Sequence, residues 1–338
     1  MRVAFLDPLE DRLRDFPAEY FPTPEYEVLL SPGTGKLPDG FETAEAAIWW
    51  DTRLDRALIE RMPNLKFLQR IGWFRAKGNA TAALERDIPV AVTPFGVSDR
   101  VAQHAFTLTL NLVRQMPVAL EALQEGTNPD HLREEEQIGP TLTVNWARIP
   151  NIGSLNDKTI GILGFGEIGS CYARLVTPFC ARVLANRRRP LTREQERFYG
   201  VEYTLSVDEV MSTSDVVLTQ VPYNSENHHM LKERELRMMK PTAYFVNCGR
   251  ANTVDEQALY RVLKEKSIAG AGLDVFSVEP LPFSHPLRGL PNVILTPHTA
   301  GGVAGWTDTF ARIRENLERV KAGRPVILPM GRNDPQPE

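Results

Sequence analysis

Three glycines at a fixed spacing are the residues whose types and positions point most clearly to chemistry. They lie in Ile160-Gly-Ile-Leu-Gly164-Phe-Gly166-Glu-Ile-Gly169, between an apolar run typical of a strand and a helical run over 170–176. In such a unit the first glycine permits a tight turn, the second lets the backbone approach a diphosphate, and the third lets the helix pack closely on the strand. The diphosphate would sit on free N–H groups at the helix N-terminus. The predicted dinucleotide-binding residues here are Gly164, Phe165, Gly166, Glu167, Ile168 and Gly169. The alternative is a purely structural turn.

The segment about 20 residues further on indicates which dinucleotide would bind. An NAD site usually has an acidic residue there that holds the ribose 2′-hydroxyl. Here the chain reads Asn186-Arg187-Arg188-Arg189. A carboxylate would repel a 2′-phosphate, whereas guanidinium groups form charge-assisted hydrogen bonds to it. We therefore predict NADP rather than NAD, with Asn186, Arg187 and Arg188 in the site; a solvated basic loop is the alternative.

Two series of short apolar runs must provide the elements that position these residues. The first series occupies about 95 residues and alternates with helical spacing, and the second begins at Thr159 and ends near Thr296. Such alternation is typical of parallel sheets, whose strands are joined by crossover helices. A buried helix is predicted over Val101 to Met116, followed by an irregular connection over 124–156.

Composition and charge exclude several classes of protein. The chain has 338 residues, 42% hydrophobic and 24% charged, with a formal net charge of −4, so nucleic acid and anionic membranes are poor candidate partners. There is no apolar run long enough to span a bilayer and no secretory signal at the start, and we expect a cytoplasmic protein. The three cysteines, Cys171, Cys180 and Cys248, have no spacing typical of a disulfide framework or a zinc site, and no metal is predicted.

Three blocks in the second half of the chain resemble the D-isomer-specific 2-hydroxyacid dehydrogenases, the family of glyoxylate, hydroxypyruvate and phosphoglycerate dehydrogenases. The blocks are Phe245-Val-Asn-Cys-Gly-Arg250-Ala-Asn-Thr-Val-Asp-Glu, Gly272-Leu-Asp274-Val-Phe-Ser-Val-Glu279-Pro and Thr296-Pro-His298-Thr-Ala-Gly. The resemblance implies that Arg250 binds substrate, that His298 is the acid/base and that Glu279 orients it. It also places Asp274 near the nicotinamide carboxamide.

The resemblance carries further expectations about the fold and the cofactor site. It implies an α/β protein with two doubly wound parallel sheets, in which a Rossmann cofactor domain (99–300) is inserted in a flavodoxin-like substrate domain (1–98 and 301–338). It implies a homodimer, with the long helix and the 124–156 segment at the interface. The further cofactor-binding residues predicted on this basis are Thr107, Val221, Pro222, Cys248 and Gly249, together with Arg250 and His298.

The residue types of the predicted catalytic trio suit the reduction of a 2-oxo acid. The reaction needs a hydride on the carbonyl carbon and a proton on its oxygen, and histidine is the natural acid near neutrality. A carboxylate within ~4–6 Å favours the imidazolium, so Glu279 would keep His298 protonated. The planar guanidinium of Arg250 suits a carboxylate and a carbonyl oxygen together and would stabilise the developing alkoxide. Each residue has a structural alternative, but all three follow predicted strands at the edge where open α/β sheets bind ligands.

The segment expected to hold the substrate carboxylate departs from the family. Gly72 keeps the first glycine of that loop, but Phe74 replaces the second, and Ala76-Lys77 replaces an Asp-Asn pair. The predicted substrate-binding residues are Gly72, Trp73, Phe74, Trp50, Arg250 and His298. Their aromatic character favours a 2-oxo acid with a bulky or ring-bearing side chain; aromatic residues that only fill the core are the alternative.

Two other functions stay open at the level of sequence. A protein of this fold can sense a nucleotide without catalysis, because fold does not determine function. The altered loop could also serve a dehydrogenase of a different small acid. The intact Arg250, Glu279 and His298 favour an NADP-dependent oxidoreductase acting on a 2-oxo acid and its D-2-hydroxy acid.

Overall fold

The structure of the chain is a computed structural model that describes residues 1–9, 13, 15–72, 78–94, 96–132, 144–302 and 305–331. Its twelve described strands form two parallel sheets. The strands of the first sheet are β1 (Arg2–Phe5), β2 (Glu27–Leu30), β3 (Ala46–Trp49), β4 (Phe67–Ile71) and β5 (Val90–Thr93). Those of the second sheet are β6 (Thr159–Leu163), β7 (Arg182–Asn186), β8 (Glu202–Thr204), β9 (Val216–Thr219), β10 (Tyr244–Asn247), β11 (Gly270–Leu273) and β12 (Val293–Leu295).

The described helices cover both sheets. Those of the first part of the chain are α1 (Phe16–Tyr20), α2 (Arg56–Glu60), α3 (Thr81–Glu85), α4 (Ser98–Val113) and α5 (Met116–Gln124). Those of the second part are α6 (Glu167–Val176), α7 (Arg193–Tyr199), α8 (Val207–Thr213), α9 (Glu233–Arg237), α10 (Glu256–Lys264) and α11 (Gly305–Lys321). In the part of the chain that the structure describes, none of these helices is long and apolar enough to cross a bilayer.

The strand orders confirm the predicted fold class. The first sheet has the order β2-β1-β3-β4-β5, which is that of flavodoxin-like domains. The second has the order β12-β11-β10-β9-β6-β7-β8, which contains the six-strand Rossmann order and one further strand at the β11 edge. Every pair of neighbouring strands is parallel, so the carboxyl ends of the strands in each sheet lie along one edge.

The chain passes twice between the two sheets. The helix α4 leaves the first sheet after β5 and packs on β10, β11 and α6 of the second sheet. The helix α11 follows the second sheet in the chain but packs on β4 and β5 of the first, where Asn316 Nδ2 donates to Gln69 Oε1 at 3.0 Å. The domain boundaries near residues 98 and 301 themselves stay a prediction.

Candidate active site

The glycine-rich turn between β6 and α6 has the backbone geometry that a diphosphate site requires. Gly164 has a φ of +89°, and a Cβ atom there would lie 2.6 Å from the carbonyl carbon of Gln220. A Cβ at Gly169 would lie 2.8 Å from the carbonyl oxygen of Gly164, so only glycine allows this close contact. Gly166 caps the N-terminus of α6 and has open space where a side chain would be. The turn therefore fits a diphosphate at the start of a ten-residue helix.

The other residues of the turn contribute backbone rather than side chains. Phe165 is 1% exposed, and its ring packs edge-on against Tyr199 at 5.6 Å between centroids. Its amide donates to the carbonyl oxygen of Asn186 at 2.8 Å, which ties the turn to the end of β7. Glu167 and Ile168 are half-buried and form the first turn of α6.

The basic segment begins where β7 ends. Asn186 is buried, and its Nδ2 donates to the carbonyl oxygen of Thr204 on β8 at 3.0 Å. Arg187 is half-buried, whereas Arg188 and Arg189 are exposed. The neutral Asn186 is therefore held inward, and the arginines that follow lie at the surface beside the glycine-rich turn.

The predicted substrate-binding arginine lies in a tight turn after β10. Asn247 Oδ1 accepts from the Gly249 amide at 3.0 Å, and a Cβ at Gly249 would lie 3.1 Å from the Cα of Gln220. Cys248 is buried, and burial first and then the charge of Asp274 raise the pKa of its thiol. Arg250 is exposed, and its Nη1 donates to the Gly249 carbonyl oxygen at 2.8 Å.

The predicted acid and its carboxylate are in direct contact. His298 Nδ1 lies 2.6 Å from Glu279 Oε2, while Glu279 Oε1 accepts from the Phe276 amide at 2.9 Å. His298 has a φ of +53°, so its left-handed backbone helps to set the direction of the ring. Because Nδ1 faces the carboxylate, Nε2 is the nitrogen left to face a substrate.

Electrostatics link Arg250 to the same pair. Burial acts to raise the pKa of Glu279, but hydrogen bonds from His298 and the Phe276 amide, together with the positive charges of His298 and Arg250, lower it overall. Nearby positive charges favour the ionised form of a carboxyl group, so Glu279 carries a negative charge. The structure thus brings His298 and Glu279 into contact and places Arg250 close enough for its charge to act on the same carboxylate.

Asp274 organises the loop that carries His298. The side chain is fully buried; its Oδ1 accepts from Thr296 Oγ1 at 2.6 Å and the Thr299 amide at 2.9 Å, and its Oδ2 accepts from the Ala300 amide at 2.9 Å. His104 Nε2 lies 3.0 Å from Thr296 Oγ1 and 3.5 Å from Asp274 Oδ1. The carboxylate therefore holds both sides of His298 in place.

The remaining predicted cofactor residues border this region. Val221 is half-buried and Pro222 is exposed immediately after β9. Thr107 is exposed on α4, and its Oγ1 donates to the Gln103 carbonyl oxygen at 2.9 Å. Thr107 lines an open cleft of about 560 Å³ whose other walls include Thr299 and α11.

The residues predicted to bind substrate from the first sheet are only partly described. Gly72 is buried with a φ of +92°, and its amide donates to the Thr93 carbonyl oxygen at 2.7 Å. Trp50 is 9% exposed and packs edge-on against Trp306 at 6.4 Å, so it lies in the core of the first sheet. Trp73 and Phe74, with Ala76 and Lys77, lie outside the described residues.

Sequence reasoning assigned no role to two residues that the structure places at the site. One is His104, which contacts the loop of His298 through Thr296 and appears in the sequence only as a polar residue in an apolar helix. The other is Gln220, which lies between the turns of Gly164 and Gly249. Its only signal is a polar side chain at the end of an apolar run.

Comparison with known proteins identifies the class to which this fold and site belong. The family model described as D-isomer specific 2-hydroxyacid dehydrogenase, NAD binding domain, matches residues 106–300. The chain belongs to this family, as its sequence motifs predict. It is accordingly an oxidoreductase, an NAD(P)-dependent 2-hydroxyacid dehydrogenase or reductase.

Individual relatives cover most of the chain. A glyoxylate reductase of Korarchaeum cryptofilum is 34% identical over 275 residues, 80% of this chain and 77% of the relative. A glyoxylate/hydroxypyruvate reductase B of Yersinia enterocolitica is 31% identical over 281 residues, 83% of this chain and 81% of the relative. The crystal structure of a D-isomer specific 2-hydroxyacid dehydrogenase from Xanthobacter autotrophicus Py2, in complex with NADPH and MES, has 26% identity and a TM-score of 0.53, and covers 98% of each chain.

Proposed function

We propose that the protein reduces a 2-oxo acid to the D-2-hydroxy acid with NADPH, in a reversible reaction. The observation that carries the proposal is the 2.6 Å contact between His298 Nδ1 and Glu279 Oε2, with the charge of Arg250 acting on the same carboxylate. This pair follows β11 and β12 at the carboxyl edge of the second sheet, where open α/β sheets bind ligands.

The chain's own residues then have distinct tasks. The chemistry that NADPH would supply, when bound, is the hydride for the carbonyl carbon of the substrate. His298 donates the Nε2 proton to the carbonyl oxygen, so that the 2-oxo acid gains one hydride and one proton in total. Glu279 stabilises the imidazolium before that transfer. Arg250 has one hydrogen bond to Gly249, and its other N–H groups make none within the described part of the chain, so they can bind the substrate carboxylate and the developing alkoxide.

The choice of NADP rests on the segment after β7. The buried side chain of Asn186 is neutral and donates to Thr204, so no carboxylate opposes a 2′-phosphate there. Arg188 is exposed beside it and can form a forked, charge-assisted hydrogen bond to the phosphate. The NADPH in the Xanthobacter relative supports the same choice.

A comparison of the two dinucleotides tests this choice. We expect a higher kcat/KM with NADPH than with NADH. Arg188→Ala should lower kcat/KM for NADPH by roughly 10- to 100-fold, since a hydrogen bond to a charged group contributes roughly 1.5–3 kcal/mol, and should leave the value for NADH unchanged. Equal values for the two dinucleotides in the wild type would contradict the proposal.

A small 2-oxo acid is the proposed substrate. Both reductases compared above are named for glyoxylate, a small 2-oxo acid. Trp50, one of the aromatic residues predicted to bind a bulky side chain, instead packs in the core on Trp306. The prediction of a bulky side chain now depends on Trp73 and Phe74. NADPH consumption should be measured with glyoxylate, hydroxypyruvate and a series of branched and aryl 2-oxo acids. We expect the small acids to be reduced faster; faster reduction of the aryl acids would favour a substrate with a bulky side chain.

The catalytic proposal is tested by replacing His298. Asparagine is the preferred replacement because it tolerates the left-handed φ of +53°. His298→Asn should lower kcat by about 10²-fold or more, since general acid catalysis contributes ~10²–10⁴, and should leave the Kd for NADPH within a few fold. Unchanged turnover would exclude His298 as the acid.

The domain division and the dimer are further proposals. A cofactor domain over 99–300 and a substrate domain from 1–98 and 301–338 agree with the separation of strands between the two sheets.

The helix α5 carries large apolar side chains that are exposed, which favours contact with a second copy of the chain. The exposed fractions are 41% for Met116, 54% for Leu120 and 63% for Leu123. Light scattering after gel filtration should give the mass of a dimer, and Leu120→Glu should shift it toward the monomer.

A further inference from the structure

Gln220 is a buried amide whose hydrogen bonds are not satisfied by the described residues. It follows β9, is 8% exposed, and neither Nε2 nor Oε1 has a partner in the part of the chain that the structure describes. An unsatisfied buried polar group costs about 1–3 kcal/mol, and nearly all such groups in proteins have partners. A ligand bound at this point would supply the hydrogen-bond partners that the described residues do not.

The backbone of Gln220 lies between the two turns of the proposed active site. A Cβ at Gly164 would lie 2.6 Å from the Gln220 carbonyl carbon, and a Cβ at Gly249 would lie 3.1 Å from the Gln220 Cα. The first turn fits the diphosphate, and the second carries Arg250. Gln220 is therefore located between the diphosphate and the reacting end of a dinucleotide.

The register of the sheet gives the face on which the Gln220 side chain lies. Leu218 pairs with Ile162 on β6 and with Val246 on β10, and these three side chains belong to the core that packs on α4 and α6. The Gln220 amide donates to the Leu163 carbonyl oxygen at 2.7 Å, which extends the ladder beyond Thr219. Because side chains alternate along a strand, Gln220 lies on the face of Leu218 and Thr219 lies on the opposite face.

We propose that the carboxamide of Gln220 is a further dinucleotide-binding group, and that it binds the nicotinamide half of the cofactor. An amide offers both donors and an acceptor. A ribose diol or a nicotinamide carboxamide also offers both, whereas a diphosphate only accepts and would leave Oε1 without a donor. This inference rests on the proposed function, because it requires a dinucleotide in the crevice.

The test compares the whole cofactor with a fragment that lacks the nicotinamide half. Gln220→Met removes the amide and keeps an unbranched side chain. We expect it to raise the Kd for NADPH by up to about tenfold, the effect of one or two neutral hydrogen bonds, and to leave the Kd for adenosine 2′,5′-bisphosphate unchanged. Titration calorimetry measures both, and the melting temperature without ligand should stay the same or rise.

Thr219→Val is the matched control. Thr219 Oγ1 is also buried without a partner among the described residues, but it lies on the other face of the sheet. This variant should bind both ligands as the wild type does. Gln220→Leu is measured in parallel, so that a folding defect in one variant does not decide the result.

Two outcomes would overturn the inference. If the Gln220 variants bind NADPH as tightly as the wild type, the amide does not contact the cofactor. If they lose NADPH and the bisphosphate equally, Gln220 acts through the glycine-rich turn instead. Failure of the wild type itself to bind NADPH would contradict the proposed cofactor, and the same comparison would then be made with NADH and AMP.

Discussion

The carboxylate of Glu279 determines how the catalytic pair responds to pH. Although burial acts to raise it, the pKa of Glu279 is lowered from its ordinary value of 4.5 by His298, the Phe276 amide and Arg250. The folded state therefore favours the ionised carboxylate, and this contribution to the free energy of unfolding is fully present above pH 4.5 and lost as the pH falls through the lowered pKa.

The variant Glu279→Gln should show the consequences in both stability and activity. We expect the difference in unfolding free energy between wild type and variant to be largest near pH 7 and to disappear in acid, as measured by urea denaturation. Without the negative charge, residue 279 no longer stabilises the positive charge of the His298 ring when that ring acts as the acid, so kcat for reduction should fall. A stability difference that does not change with pH would contradict the role of the carboxylate charge.

Asp274 should affect catalysis without contacting the reacting atoms. Its two carboxylate oxygens accept from donors on the loop of His298, including the amides of Thr299 and Ala300. Asparagine at this position would direct its own N–H groups toward one of those donors in either orientation. Asp274→Asn should therefore lower the unfolding free energy by about 1.5–3 kcal/mol and reduce kcat. A destabilised variant with full turnover would mean that His298 is positioned by other contacts.

At the scale of elements, two glycines of the turn, Gly164 and Gly166, should respond differently to the same substitution. Gly164→Ala combines a φ of +89° with a Cβ only 2.6 Å from Gln220, so it should destabilise the free protein. Gly166→Ala meets open space and should leave the melting temperature nearly unchanged while raising the Kd for NADPH, because the methyl group would occupy the diphosphate position. Thermal unfolding and calorimetry separate the two effects, and equal behaviour of the two variants would contradict this division of roles.

Elements with strong apolar patterns were predictable from sequence, and those without were not. The strands β4 (Phe67–Ile71) and β5 (Val90–Thr93) coincide with two apolar runs of the first series. The strand β8 was missed because it has three residues at a sheet edge and no apolar run. The helix predicted to continue to Met116 ends at Val113, since Gln115 adopts a left-handed φ of +54° that apolar spacing cannot reveal.

At the scale of the molecule, sequence motifs could predict which residues meet but not what surrounds them. Arg250, Glu279 and His298 were identified through blocks whose order along the chain is specific. The contact of His104 with Thr296 depends on how α4 packs across the second sheet, and the position of Gln220 depends on two turns that are far apart in sequence. Such contacts follow from tertiary packing, which short motifs do not encode.

Two ion pairs join the helices by which the chain passes between the sheets. Arg312 on α11 lies 2.8 Å from Asp99 on α4, and Arg100 on α4 pairs with Asp308 on α11. Partly exposed pairs of this kind typically contribute about 0.2–1 kcal/mol and are screened by salt. Their importance lies in their position. They connect α11, which packs on the first sheet, to α4, which packs on the second sheet.

A double-mutant cycle with Asp99→Asn and Arg312→Gln should measure this connection. We expect a coupling free energy of up to about 1 kcal/mol at low ionic strength that falls toward zero in 1 M NaCl, where the screening length is about 3 Å. The pair of Arg56 and Glu85, at 2.6 Å between α2 and α3, is the control within the first sheet's layer. Its cycle should give a similar salt-sensitive coupling, but only loss of the α4–α11 pairs should lower kcat/KM, because those pairs border the cleft beside the His298 loop. An equal effect on kcat/KM from both cycles would show that the two pairs stabilise the protein as a whole rather than the arrangement of the sheets around the site.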